Sequence, residues 1–441
     1  MTARYIVGDV RDVLATIPDG SIDLVLTSPP FLALRSYLPQ DHPDKHREIG
    51  SEPDPATFLD TLLLLTAEWG RVLAPHGSIC VELGDTYAGS GGAGGDYADG
   101  GLREGQEAFT GSAKQGRVAD PSGMPPHRER TKVTVPTIGR TWPLPKSLCG
   151  IPHLYHLSLA YGRNLLTGEE SPAGRWRVRN VVAWCRPNPP VGALGDKFRP
   201  ATSYMTVATR AQKRYFDLDA VRHHNPRVDE TAGSHVRSED GPPANGKGGG
   251  DYANPAKTSP QNPAGAPPLD YWVIPTAPYS GSHYAVYPPA LCERPIKSMV
   301  PAKVCTVCGA PSERIVEQSE EYLAARAAIN AGQTESFTAW SDGARGGGGI
   351  GTGGGAASLI ANGKLSAAPT TIGWTDCGHD SWRNGVVLDP FAGSGTTLMV
   401  ATGHGRDAIG IDIDARNADL ALDRVGPLLL TVEHLADEVA S

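Results

Sequence analysis

The sequence predicts an α/β fold, with a mostly parallel sheet covered by helices. Three observations lead there. Over residues 1–87, apolar strand-like runs alternate with segments of helical periodicity. Near the other end, the apolar run "GVVLDP" meets a glycine-rich turn, "FAGSGTT", followed by a helical stretch and a second strand ending in acids. Between these halves, the 53 glycines and 38 prolines gather into three long segments where periodicity is lost. An ordered core interrupted by irregular excursions is the expectation.

The elements follow in order. "RYIVGDV" and "IDLVLTSPPF" read as buried strands, with a short helix between them, "VRDVLATIPDG", closed by Asp19-Gly20. "PATFLDTLLLLTAEWGRVLAPHG" has helical periodicity up to Pro75-His76-Gly77, and "SICVELGDTY" is the next strand. Residues 1–87 therefore form one half of a sheet domain, and 88–145 are a Gly/Pro-rich insertion. Core character returns over 146–222, at "GIPHLYHLSLAYG", at the strand "RNVVAWCRPNPP", and at Tyr204 to Thr209, with further strand character at Arg214 to Asp217. A second break occupies 223–282. Residues 283–301 hold "HYAVYPPALCERPIKSMVP", a short element leading into a helix. A third break, 302–383, carries a "CTVC" pair and a glycine run, and 384–441 form the second half of the domain, closing with the helix "ARNADLALDRVG".

Composition limits the function. Hydrophobic residues make up 39% and charged residues 20%, enough for a globular core. The net charge of −8 argues against indiscriminate polyanion binding, yet two basic runs stand out. One comprises Arg175, Arg177, Arg179, Arg186, Lys197, Arg199, Arg210, Lys213 and Arg214; the other Arg128, Arg130, Lys132, Arg140 and Lys146. Each is either a solvated surface or a face turned to a polyanion. The seven cysteines are scattered, the start reads as a first strand rather than a leader, and no apolar stretch is long enough to span a bilayer. A cytoplasmic setting without a membrane partner is expected.

The glycine-rich turn carries the first functional signal. A strand, a tight turn and a helix, with an acid about twenty residues further on, is a nucleoside-binding arrangement. Gly393 and Gly395 would let the backbone approach a ligand, and Asp412 is placed to hold two ribose hydroxyls. The loop is neither G-x-G-x-x-G nor a phosphate loop, since no lysine follows its last glycine. An ordinary strand-to-helix turn is the competing reading.

"DPFAGSGTT" (Asp389–Thr397), taken with "TSPPF" (Thr27–Phe31), resembles the amino-group DNA methyltransferases that depend on S-adenosylmethionine, in their β class. In that class the catalytic tetrapeptide comes first, target recognition second and the cofactor loop last, as here. "RWRVRNVVAWCRPNP" and "HYAVYPPAL" are similar to further blocks of the family. The resemblance implies a Rossmann-like methyltransferase fold with a mostly parallel seven-stranded sheet, circularly permuted, which accounts for the late glycine loop. It also implies double-stranded DNA as partner, in a bacterial or phage-infected cell, with a cognate restriction endonuclease and a homodimer left open.

An exocyclic amine is a poor nucleophile because its lone pair is delocalised into the ring. The resemblance implies that the Ser28 hydroxyl and the Pro29 carbonyl accept its N–H bonds, that Pro30 stiffens the loop, and that Phe31 stacks on a flipped-out base. In that family Asp or Asn before Pro-Pro mostly accompanies adenine and Ser mostly cytosine, so the resemblance implies cytosine N4 over adenine N6, and Ser28 counts against a protein amide. No cysteine follows a proline, which disfavours ring-carbon methylation. The resemblance further implies that Gly393, Ser394, Gly395, Thr396 and Thr397 cradle the cofactor. Asp412 would hold its ribose, Asp389 would steady the loop and the methionine end, and Phe391 would pack against it. Asp9 matches the family's acid near the adenine and equally suits an N-cap for the helix that follows. "HYAVYPP" would close over the methionine moiety, with no single side chain assigned, and 223–282 matches the position of target recognition.

Cys305-x-x-Cys308-Gly is half of a zinc knuckle, and Cys377 with His379 supply a second half. Four such ligands make a closed, structural zinc site; unrelated free cysteines are the competing reading. A rival from another class is a silent DNA-binding protein that keeps the fold, and two intact motifs speak against it.

Overall fold

The computed structural model describes residues 1–34, 37–38, 41–88, 141–189, 197–222, 266–276, 286–317 and 370–435, with isolated positions between 320 and 327. Most of the insertion at 88–145 and of the segment at 223–282 lies outside the described residues, as do Arg128, Arg130, Lys132 and Arg140.

The first half builds as its pattern dictates. Strand β1 (Ala3–Val7) leads through Asp9 into helix α1 (Val10–Thr16), whose start is capped by the Asp9 carboxylate accepting from Arg11 N. That helix stops at Thr16, and Gly20, in left-handed geometry, turns the chain into β2 (Ile22–Thr27), buried along its whole length. Helix α2 (Pro55–Val72) has Pro55 at its first turn and Asp54 as N-cap, accepting from Ala56 N and Thr57 N. Phe58, Leu59, Leu62, Leu63, Thr66, Trp69 and Val72 recur every three or four residues and form its buried stripe.

Here the structure departs from the sequence reading. The helix ends at Val72, and Pro75-His76-Gly77 already belong to β3 (Leu73–Leu83). Proline keeps the residue before it extended, so Ala74 joins the strand, and an irregularity in the β2–β3 pairing absorbs the extra length.

The remaining elements of this unit are α3 (Ile151–Tyr161), β4 (Arg177–Cys185), β5 (Thr202–Thr209), β6 (Tyr271–Val273), α4 (Pro289–Met299) and β7 (Lys303–Cys305). A second unit, comprising Asp217–Pro268 and Glu313–Asp376, contains the antiparallel pair β8 (Arg314–Glu317) and β9 (Thr370–Trp374). Within it, Arg314 binds both Asp217 oxygens at 2.8–3.2 Å and stacks over Trp374. The chain then returns to the first unit with β10 (Trp382–Asn384), β11 (Val386–Asp389), α5 (Thr396–Gly403), β12 (Asp407–Asp412), α6 (Arg416–Val425) and β13 (Leu430–His434).

The sheet has nine strands rather than seven, in the order β13-β1-β12-β11-β2-β3-β5-β4-β6. The seven expected from the sequence are the inner ones; β6 and β13 add one short edge strand at each side. All pairs are parallel except β3–β5 and β5–β4. Arg214 to Asp217 forms no strand. Helices α1, α2 and α3 bury Leu14, Leu62 and Tyr155 against one face, while α4, α5 and α6 bury Ile296, Leu398 and Ala421 against the other.

β11, near the end of the chain, pairs with β2, near its start, with Val387 opposite Leu24 and Leu388 opposite Val25. The strand order reverses at this pair, and the carboxyl ends of such strands are where α/β sheets bind ligands. Asp23 locks the other end. It is fully buried, takes Arg383 Nη1 at 2.6 Å and Val386 N at 2.7 Å on Oδ2, and meets His76 Nε2 at 2.8 Å on Oδ1. Burial alone would raise its carboxyl, but the hydrogen bonds from His76 and Arg383 prevail and hold it below the ordinary value. A depressed carboxylate stabilises the fold above its unfolded pKa, and this contribution fades as pH falls through the folded one. The unfolding free-energy gap between wild type and Asp23→Asn should therefore be full near pH 7 and shrink below about pH 4. A gap independent of pH in urea titrations would remove the ion pair from the account.

Candidate active site

The site is assembled at the carboxyl ends of β2, β3, β11 and β12. Thr27 ends β2 and Ser28 follows it. The Ser28 hydroxyl donates to Glu82 Oε2 at 2.6 Å. Glu82 lies near the end of β3 and is only 3% exposed, and burial pushes its carboxyl above the ordinary value against the hydrogen bond from Ser28. Pro29 is buried and Pro30 partly so. The half-buried Phe31 ring lies on Gly84, where an added Cβ would come within 2.5 Å of its Cε2. Only glycine fits there, so the backbone after β3 forms a wall for the aromatic ring.

Asp389 joins the two motifs. It is fully buried and accepts on Oδ1 from Thr27 Oγ1 at 2.7 Å and Phe391 N at 3.2 Å. On Oδ2 it accepts from Tyr287 OH at 2.8 Å and Thr397 Oγ1 at 2.5 Å. Tyr287 also bonds the Thr397 hydroxyl. One carboxylate thus ties the residue before Ser28 to the glycine-rich loop and to the segment before α4. Burial raises its pKa and the four donors oppose that shift.

The glycine loop is held from several sides. Gly393 and Gly395 have positive φ, and a Cβ on Gly395 would meet that of Ala421 on α6 at 2.9 Å. Gly393 N donates to Asp412 Oδ2 at 2.8 Å, and Tyr5 OH donates to Gly393 O at 2.8 Å. Arg424 donates to the hydroxyls of Ser394 and Thr396, both at 2.8 Å. The side chains of Ser394, Thr396 and Thr397 are therefore buried in protein contacts, and a ligand at this loop would meet its backbone. Asp412 is partly exposed; its Oδ1 accepts from Asp414 N at 2.9 Å and Asn417 Nδ2 at 3.1 Å, and burial pushes its carboxyl up to about 6. Phe391, two residues after Asp389, is half-buried.

Of the two readings of Asp9, the cap is the one the geometry displays. Its carboxylate caps α1 and is held by Arg11 at 2.6 Å and Arg47 at 3.0 Å. The basic runs also divide. Arg214 is half-buried, over Phe216 and 3.4 Å from Ser78 Oγ and Met299 Sδ, while Arg186 lies over the Trp184 ring. Lys197 lies over the Tyr87 ring at 3.7 Å.

Sequence reasoning missed Glu82 and Tyr287. Glu82 sits in "CVEL", a continuously buried stretch of strand in which nothing marks a partner 54 residues away. Tyr287 was only part of a block expected to close over the cofactor.

Residues 22–303 and 379–423 match the DNA methylase family model for N6 and N4 methylases. The chain belongs to this DNA methylase family. The two matched segments contain TSPPF, Glu82, Tyr287, the glycine loop and Asp412. Among curated relatives, the Type II methyltransferase M.SmaI of Serratia marcescens is 21% identical over 426 residues, 96% of this chain and 91% of that protein. M.Cfr9I of Citrobacter freundii, also a Type II methyltransferase, is 24% identical over 284 residues, 64% of this chain and 68% of its own length. Among solved structures, the PvuII cytosine-N4-specific DNA methyltransferase superposes with a TM-score of 0.43 at 12% identity, covering 96% of this chain and 86% of that one. This DNA methyltransferase has the Rossmann-like methyltransferase fold of its family. None of its described helices is long and apolar enough to cross a membrane.

Proposed function

We propose that this DNA methyltransferase transfers a methyl group from S-adenosyl-L-methionine to the exocyclic N4 of a flipped-out cytosine in double-stranded DNA. The observation that carries this is the shared carboxylate of Asp389, which brings the Ser28 loop and the glycine loop together at the reversal of strand order. The residues fit the cofactor. Gly393 and Gly395 leave its approach open, Asp412 keeps acceptor capacity for ribose hydroxyls at the end of β12, and Phe391 offers an apolar edge. Asp389, with four donors, acts on the loop and through it on the methionine end. The cofactor supplies an electrophilic methyl group on sulfur.

The chain's own residues prepare the amine. Because Ser28 donates its proton to Glu82, its oxygen is free to accept an N–H from the target amine, while the Pro29 carbonyl takes the other. Both bonds draw the nitrogen toward tetrahedral geometry and release its lone pair. Methylation leaves a surplus proton on nitrogen. It passes to Ser28 Oγ as the serine proton moves to Glu82 Oε2, so the base of the relay is a buried carboxylate. Phe31, on its Gly84 wall, would stack on the extruded ring. Ser rather than an acid at position 28 favours cytosine. Type II relatives support a restriction-modification setting with a cognate endonuclease, and a homodimer remains compatible with it.

Glu82 must be ionised to take the proton. Its raised pKa places the acid limb of the rate profile above the ordinary glutamate range, with activity rising as pH increases through it. Glu82→Gln should lower kcat by roughly 100-fold and abolish that limb. An unchanged profile would exclude the relay.

The deciding experiment is nucleoside mass spectrometry of DNA from a methylation-free host expressing this chain, beside a Ser28→Ala control. N4-methylcytosine found only with the wild type supports the reading. N6-methyladenine would keep the mechanism and overturn the base. No modified base from a soluble, folded chain would favour the silent DNA-binding reading.

A further inference from the structure

We infer that Cys305, Cys308, Cys377 and His379 hold one Zn2+ ion in a closed site that fastens β10 to β7, and through β10 steadies both β2 and β11.

The four side chains come from segments as much as 74 residues apart, yet their ligand atoms all lie within 4.8 Å of one another. His379 Nδ1 is 3.3 Å from Cys377 Sγ and 3.6 Å from Cys305 Sγ. A tetrahedron with zinc–sulfur bonds of about 2.3 Å and zinc–nitrogen bonds of about 2.0 Å has edges of roughly 3.5–3.8 Å. The side chains are thus already spaced for one shared ion. Three sulfurs and one nitrogen fill its coordination, leaving no open position for chemistry.

The backbone around the cluster adds an independent observation. Val307 N and Cys308 N both point at Cys305 Sγ, at 3.4 and 3.5 Å, so two amide donors serve one sulfur. Both amides lie in the turn that carries Cys308, so that turn is closed around the Cys305 sulfur. Gly309 turns the chain with φ +70 and donates to Cys305 O at 3.0 Å. On the other side Gly378 has φ +77 and Asp380 φ +48, so Cys377-Gly378-His379 is a second tight turn, presenting its two ligands toward the first. A non-glycine residue held at positive φ costs energy that a bound ion would offset.

The cluster also has a structural task. Cys305 pairs with Trp382 and Val304 with Arg383 in the β7–β10 ladder, which starts three residues after His379. Arg383 donates to both Asp23 oxygens, on β2, and Val386 N at the start of β11 donates to Asp23 as well. A ladder of three residue pairs is weak alone. An ion at its head closes the long excursion between Gly309 and Asp376 and keeps Arg383 in place between the strand that leads to Ser28 and the strand that leads to the glycine loop.

The test uses the full chain purified without added chelator. Zinc by mass spectrometry should be about one equivalent per chain in the wild type and near zero in Cys308→Ser, and Cys308→Ser should also have a lower Tm. Cobalt exchanged into the wild type should give thiolate-to-metal charge transfer and the intense visible bands of a tetrahedral site. His379→Cys retains four ligands, so it should keep the ion and shift the cobalt spectrum toward four sulfurs, even if Cys308→Ser fails to fold. Absence of stoichiometric metal in a folded wild type, a disulfide among these cysteines, or unchanged zinc in Cys308→Ser would overturn the site. Bound zinc whose loss leaves Tm unchanged would overturn its fastening role. None of these readouts depends on methylation.

Discussion

Ser28→Ala is expected to lower methylation turnover by about 100- to 1,000-fold while leaving the dissociation constant for S-adenosylmethionine nearly unchanged. The hydroxyl donates to Glu82 and lies beside the place proposed for the target amine. Its removal takes away an acceptor that matters as charge develops on nitrogen, and also the path of the leaving proton. The buried Glu82 carboxylate is left without its donor, so some loss of stability accompanies the loss of rate. Asp412→Ala should behave in the opposite way. It removes the partner of Gly393 N, so cofactor affinity should fall by roughly 10- to 100-fold with a smaller change in saturated turnover. Equilibrium binding of the cofactor and single-turnover methylation separate the two cases. Equal loss of binding in both variants would sink the division of labour.

Asp389→Ala is expected to destabilise the fold by about 3–5 kcal/mol, the range for breaking a buried charged network from one side. Four donors lose one acceptor: Thr27, Phe391 N, Tyr287 and Thr397. The hydroxyls of Thr27 and Thr397 are held in fully closed surroundings where water cannot replace the carboxylate. Asp389→Asn should cost less, because an amide keeps one acceptor oxygen. Urea unfolding of the three proteins gives the comparison. A cost under about 1 kcal/mol for the alanine would show that the network relaxes and that Asp389 is not the joint between the motifs.

Much of this was legible in the residues, for physical reasons. Inner strands are covered on both faces, so "IDLVLT" and "VVLD" read as continuous apolar runs. The glycine loop is visible because close backbone approach demands residues without side chains. Edge strands offer no such signal. β6 alternates exposed, buried, exposed over three residues, and β13 is mostly half-exposed. The end of α2 was misplaced because proline is allowed both in a turn and in an irregular strand. Charge runs say nothing about facing, so the half-buried packing of Arg214 over Phe216 left no mark in the sequence. Glu82 and Tyr287 were illegible as site residues because their meaning lies in partners 54 and 102 residues away.

The bond between Thr27 and Asp389 spans 362 residues of chain. Its consequence is one of timing during synthesis. At about 5–20 residues per second, the ribosome delivers the second partner roughly 20–70 seconds after the first. Through that interval β2 lacks β11, and β1 lacks both of its neighbours, β12 and β13. Strands with open edges are what folding chaperones shield, and a nascent chain has nowhere to place either cofactor or base. The segment from β11 to β13 is therefore a molecular delay line, keeping the enzyme inert until it has been made.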